Sequence, residues 1–176
     1  MGRAAVPGDV MLFCSVLYNR FADLGAVMGD LTGLFGDIAF ATEPMPFTFT
    51  TYYEREMGAP LERVIAAFGR LVGRDFLPEA KNATNALEDN HSEGPRRKVN
   101  IDPGIVTLEN VCLATTKPHG HRLYLGRGIW AEVTLIYQGD SYRSLPWTYP
   151  DYASERYIGI FNSLRALFKE ITKGRS

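Results

Sequence analysis

Val10–Leu17 (VMLFCSVL) is apolar throughout except for Ser15, and no other feature of the chain restricts its fold as much. A strand with one wet face alternates polar and apolar residues, so a run without alternation belongs to a strand covered on both faces, inside its sheet. The next stretch reads as a helix: Phe21, Leu24, Met28, Leu31 and Phe35 recur at helical spacing, Asn19 can cap the start, and Gly36 suits the left-handed position past the end. Gly25, Gly29 and Gly33 make this a poor helix by propensity, so packing must hold it. Asp37–Glu43 reads as a second strand, with Ile38 and Phe40 on one side. A helix crossing between two short strands predicts a parallel βαβ unit.

Pro44–Met57 mixes prolines with aromatic and β-branched residues, which fits an edge strand or a long ordered loop. Val64–Val72 fits strand or helix equally. Pro78-Glu79 suits the first turn of a helix running to about Leu87, and the polar Asn90–Lys98 is the best candidate for a mobile loop. Pro103-Gly104 is expected at the centre of a type II turn. Beyond it, Leu108–Thr116, His121–Leu125, Trp130–Tyr137 and Tyr142–Leu145 read as successive strands, with tight turns at Gly126-Arg127-Gly128 and Gly139-Asp140. Tyr157, Phe161, Leu164, Phe168 and Ile171 form the stripe of a final amphipathic helix that Ser154 can cap. The expected architecture is a single α+β domain over residues 1–176. It has a mixed sheet with an N-terminal βαβ unit, a C-terminal antiparallel meander and an amphipathic C-terminal helix, between a loose lead-in (1–9) and a frayed end (172–176).

A chain of 176 residues with 45% apolar and 22% charged residues buries about 70% of its unfolded surface and needs no metal or disulfide to hold it. Nineteen Lys+Arg against twenty Asp+Glu leave a net charge of -1, which excludes a general nucleic-acid coat or a polybasic membrane anchor. Cys14 and Cys112 each lie in an apolar strand-like run, as expected of buried, reduced, unpaired thiols. The N-terminus has no cleavable signal pattern, and its apolar run is too short to span a bilayer, so the expected location is the cytoplasm.

TEPMPFTFTTYYEREMG (42–58), TNALE (84–88), VNIDPG (99–104), ATTK (114–117), HRLYLGRGIWAEVTLIY (121–137) and LPWTYPDY (145–152) closely resemble a bacterial family known as domain of unknown function 4416, over nearly the whole chain. The resemblance implies membership but brings no established activity, cofactor or catalytic residue. The chain has neither a GxxxxGK[ST] phosphate loop nor an Asn-Lys-x-Asp guanine reader, so a GTPase mechanism is not adopted.

Two-residue turns at Arg127-Gly128 and Gly139-Asp140 would set Leu123 opposite Glu132, His121 opposite Thr134, and Arg143 opposite Ile136. Alternation then gathers His121, Glu132, Thr134 and Arg143 on one face beside Trp130 and Trp147: an acid, a base and a cation together. Read blandly, Glu132 and Arg143 are a routine cross-strand pair. His119 and His121 have the spacing of two ligands on an extended chain, but Pro118 and Gly120 suggest a turn, and no metal is assigned. Backbone near Asn100 and Asp102, with Lys117, Arg122 and His121 beside it, suits a phosphate or carboxylate.

These residues suit two functions. The first is a protein that binds, or an enzyme that acts on, a small phosphorylated or nucleotide-like anion. In it His121 is the acid/base, Glu132 its orienting partner, Lys117 and Arg143 anion binders, and Asn100, Asp102 and Arg122 ligand contacts. The second is a non-catalytic module whose Trp130, Trp147, Tyr149 and Tyr152 contact a protein partner or a second copy.

Overall fold

The computed structural model describes residues 2–94 and 96–174. In chain order the elements are β1 (Val10–Asn19), α1 (Leu24–Phe35), β2 (Ile38–Ala41), β3 (Met45–Pro46), α2 (Glu54–Met57), β4 (Leu61–Val72), α3 (Leu77–Asn90), β5 (Val99–Val106), β6 (Asn110–Thr115), β7 (Arg122–Gly126), β8 (Ile129–Gln138), β9 (Ser141–Ser144) and α4 (Glu155–Lys173). The class is α+β. One nine-stranded sheet runs β2-β4-β1-β5-β6-β8-β7, with β3 also on β4 and β9 also on β8. As its sequence requires, β1 is buried along its whole length, between β4 and β5.

The expected parallel pair does not form. β1 and β2 run in the same direction, but β4 is inserted between them and is antiparallel to both. The segment that fitted strand or helix equally is thus the long strand that displaces the βαβ contact, and neighbouring strands throughout the sheet are antiparallel rather than mixed. Nor are the C-terminal strands a simple meander. β6 pairs with β8, while β7 and β9 lie end to end along the other edge of β8.

Pro103 lies in β5, opposite Cys14, rather than in a turn. Alternation points the backbone groups of residues 101, 103 and 105 toward β6, and Ile105 pairs there with Cys112. Pro103 has no N–H to offer on that side, and the β5–β6 ladder stops at Gly104 opposite Leu113. Gly104 is needed because a Cβ would come within 2.5 Å of Phe13 Cζ and 2.6 Å of the Cys112 carbonyl.

Helices cover both faces. Phe161 of α4 meets Phe13 edge-on at 5.0 Å, whereas Phe35 of α1 meets Phe68 at 5.3 Å. Phe13 lies opposite Ala67, so Phe68, the next residue, points to the other face. α3 packs beside α1, with Phe76 at its start 6.3 Å from Phe35. Asp23, not Asn19, caps α1, accepting from the Ala26 N–H. Asn19 instead accepts from the Phe21 N–H and donates to the Met57 carbonyl, and Phe21 is 83% exposed rather than part of the helix stripe. Ser154 caps α4 as expected, and Tyr157, Phe161, Leu164 and Phe168 are buried. α4 continues through Lys173, beyond the expected fraying point, while Arg175 and Ser176 lie outside the described residues. Both cysteines are free thiols, Cys14 buried but Cys112 only half-buried. Among the described residues no helix is long and apolar enough to cross a membrane.

Candidate functional site

Residues directly opposed in a sheet share a face, so the row Phe13, Gly104, Leu113, Glu132, Arg122 lies on the α4 side. The same face carries Ser15 with Asp102, and Leu17 with Asn100 and Arg63. Polar side chains therefore replace apolar ones over much of it, and they gather in two groups.

The first group centres on Glu132, which is 2% exposed. The turn at Arg127-Gly128 forms, with both φ positive (54° and 78°) and Gly126 opposite Ile129. A bulge at Leu125 then moves the register by one residue, setting Arg122 rather than Leu123 opposite Glu132. Arg122 Nε donates to Glu132 Oε2 at 2.8 Å, and His121 Nε2 donates to the same oxygen at 2.9 Å. The His121 ring stacks on Trp147 (5.0 Å, 13°), whose indole N–H is held by the Val133 carbonyl. Nδ1 is thus the imidazole nitrogen left for other partners. Glu132 Oε1 is buried without a hydrogen-bond partner among the described residues.

Two expected members do not join this group. Arg143 faces Ile136 as its turn predicts, but that is four residues along β8 from Glu132, about 13 Å at strand spacing. It pairs with Asp140 at the hairpin tip, largely exposed. Thr134 is fully buried, and its hydroxyl donates to the Glu132 carbonyl. His119 lies 4.4 Å from His121, ring to ring, but among the described residues no set of three His, Cys, Asp or Glu side chains is arranged to hold a metal ion.

The second group forms where Pro103 leaves the β5 edge without a strand partner. α3 closes that edge with side chains: Lys81 Nζ donates to the Ile101 carbonyl at 2.8 Å, and the Glu88 carboxylate accepts from the Ile101 N–H at 2.7 Å. Lys81 also donates to Asp102 Oδ1 at 3.1 Å, and Asn100 Nδ2 donates to Oδ2 at 2.8 Å. Arg97 grips Glu56 through two nitrogens (2.6 and 2.8 Å) and reaches Glu88 and Asn100. The segment expected to be mobile is therefore anchored at Arg97. Burial raises the pKa of Asp102, but the Lys81 ammonium, the Arg63 guanidinium and the Asn100 amide together outweigh it, and the carboxyl is held below its ordinary value. Burial shifts Glu88 upward, and there the nearby cations do not cancel it.

Two segments roof the groups. Asp151 hydrogen-bonds the guanidinium of Arg63, and both side chains are buried. That guanidinium lies 4.5 Å from the Phe47 ring centre and 5.8 Å from that of Tyr152. Arg63 Nε is buried without a hydrogen-bond partner among the described residues. Ser15 Oγ lies against the Tyr152 hydroxyl but makes no hydrogen bond of proper geometry. The groups meet at the rim. Arg122 donates to the Lys117 carbonyl and to the Tyr149 hydroxyl (2.9 and 3.1 Å), while Lys117 Nζ lies 5.6 Å from the Tyr52 ring centre. Tyr53, 5.1 Å from Tyr52, is pushed up to about 12 by burial and by the Asp102 carboxylate nearby.

Lys81, Glu88, Arg97, Glu56, Arg63 and Asp151 were not among the residues predicted from sequence. A signal for two of them existed. Positions 77, 80, 81, 84, 87 and 88 make the buried stripe of α3, and a charge at Lys81 and again at Glu88, two turns on, breaks that stripe where a core helix should be apolar. Two clefts open elsewhere: one of about 310 Å3 beside Phe76, Pro78, Leu125 and Arg127, the other along the N-terminal segment. Neither is lined by the polar groups.

A family model described as a domain of unknown function (DUF4416) matches residues 8–168. No curated protein and no solved structure matches the chain.

Proposed function

The chain belongs to the DUF4416 family, whose description assigns no activity, and from the geometry we propose that it binds a small phosphorylated or nucleotide-like anion over the polar face. The observation that carries this reading is the cost of that face. Buried charges, and Ser15 Oγ, Arg63 Nε and Glu132 Oε1 without a hydrogen-bond partner among the described residues, stabilise a fold poorly compared with apolar residues of similar size, and such groups concentrate where ligands are handled. In this reading Lys117 and Arg122 meet the anion, Asn100 and Asp102 take polar groups, and His121 presents Nδ1 as acid or base with Glu132 orienting it. Two free thiols, one of them deep in the core, support a reducing, cytoplasmic setting.

Thermal denaturation with inorganic phosphate, nucleotides and sugar phosphates tests the proposal. A ligand at a hundred times its Kd adds about 2.7 kcal/mol to stability. Lys117→Met should cut the rise in melting temperature to about half, and Arg143→Met, remote from the face, should preserve it. The rival reading is a contact surface for a protein or a second copy, favoured by the exposure of Tyr52, Trp147 and Tyr149 (67%, 39% and 49%). Tyr152 takes no part in it, being buried against Phe161. A panel with no effect at low salt, together with self-association in sedimentation, would put that reading first.

A further inference from the structure

The pairing of charges narrows the ligand's chemistry; this inference rests on the anion-site reading above. Each buried or half-buried cation of the face has its own carboxylate: Arg63 has Asp151, Lys81 has Asp102, Arg97 has Glu56, and Arg122 has Glu132. Lys117 makes no ion pair with the described residues, although Glu56 feels its charge, and it lies at the rim over Tyr52. One unmatched ammonium suits one anionic group. A di- or triphosphate chain carries several charges and is held elsewhere by backbone nests, arginine clusters and Mg2+. Here the Glu56 carboxylate lies within electrostatic reach of Lys117 and would repel the further charges of such a chain.

The rest of the face offers hydroxyl chemistry. Asp102 has both oxygens anchored yet keeps 32% of its side chain exposed, so lone pairs remain for another donor. The Tyr149 hydroxyl accepts from Arg122, which leaves its own proton to donate. Tyr53 brings a second phenol within electrostatic reach of Asp102 and Tyr149. The exposed rings of Tyr52, Trp147 and Tyr149 are flat apolar surfaces that a sugar ring can lie against. We infer that the ligand is a hydroxyl-rich body bearing one anionic group, a sugar monophosphate or a sugar acid, with its anion at Lys117 and its hydroxyls on Asp102 and Tyr149.

Isothermal titration of the full chain tests this with hexose and pentose monophosphates, the matching sugar acids, the unmodified sugars, inorganic phosphate, and a nucleoside triphosphate with Mg2+. A monophosphate or sugar acid is expected to bind at least about tenfold more tightly than either the plain sugar or phosphate alone, and the tighter of the two identifies the anion. Lys117→Met and Tyr149→Phe should each weaken that binding by about tenfold, the loss of one hydrogen bond or ion contact. Tighter binding of the triphosphate would overturn the inference while leaving the anion site standing. Equal binding of plain and charged sugars would overturn it as well. Silence from every compound would remove both the inference and the reading beneath it.

Discussion

Asp102 shows how much a single side chain on this face is asked to do. One oxygen takes the Lys81 ammonium, the other the Asn100 amide, and a third of the group still meets solvent. Burial raises its pKa, but Lys81, Arg63 and Asn100 together more than compensate, and the carboxyl sits below its ordinary value of 3.8. A depressed folded pKa contributes stability that is present above the unfolded value and lost as pH falls through the folded one. The melting temperature of the native chain should therefore drop on acidification below about pH 4, and in Asp102→Asn that drop should be shallower. An equally steep acid limb in the variant would show that Asp102 is not held ionised. Glu88 acts with the opposite sign. Burial shifts its pKa upward, so its contribution is fullest at low pH and declines as pH rises through the folded value, which partly offsets the Asp102 effect.

Among the elements, those whose sequence pattern is set by burial on one helix or one strand were legible, and those set by a partner far along the chain were not. β1 and α4 could be read directly, because an unbroken apolar run and a stripe at helical spacing each have one structural solution. Phe161, fully buried between Phe13 and Tyr152, should cost about 3–5 kcal/mol when replaced by Ala, measured as a fall in the urea midpoint with the slope unchanged. A loss near zero would mean that α4 is not docked through this residue. β4 could not be placed, since its choice of β1 and β2 as neighbours depends on contacts across the whole N-terminal half. Within the candidate site, the partnership of His121 and Glu132 was legible from hairpin chemistry, but the bulge at Leu125 reassigned the opposing residue to Arg122. The Lys81–Glu88 closure of β5 was hidden because it depends on where the β5–β6 ladder ends. Pro103 decides that, and Pro-Gly ordinarily reads as a turn.

For the molecule as a whole, the two thiols report on different depths of the same structure. Cys14 lies in the most interior strand with its pKa pushed well up by burial, while Cys112 is half-buried on β6 with its pKa raised, again by burial, to about 11. Thiolate is scarce at both, so labelling requires opening. Under native conditions Cys112 should react first, through local opening, and Cys14 only at the rate set by global unfolding. Labelling of Cys14 ahead of Cys112 would contradict the sheet order. The early end of the β5–β6 ladder also bears on how the molecule carries load. β5 pairs with β1 over eight residues but with β6 over three, Gly104–Leu113, Ile105–Cys112 and Val106–Val111. The sheet is thus two stiff panels joined along a short seam, and bending should concentrate there. The Arg63–Asp151 pair, which ties β4 to the segment after β9 across 88 positions of chain, works as a strut between the panels on the side of the polar face.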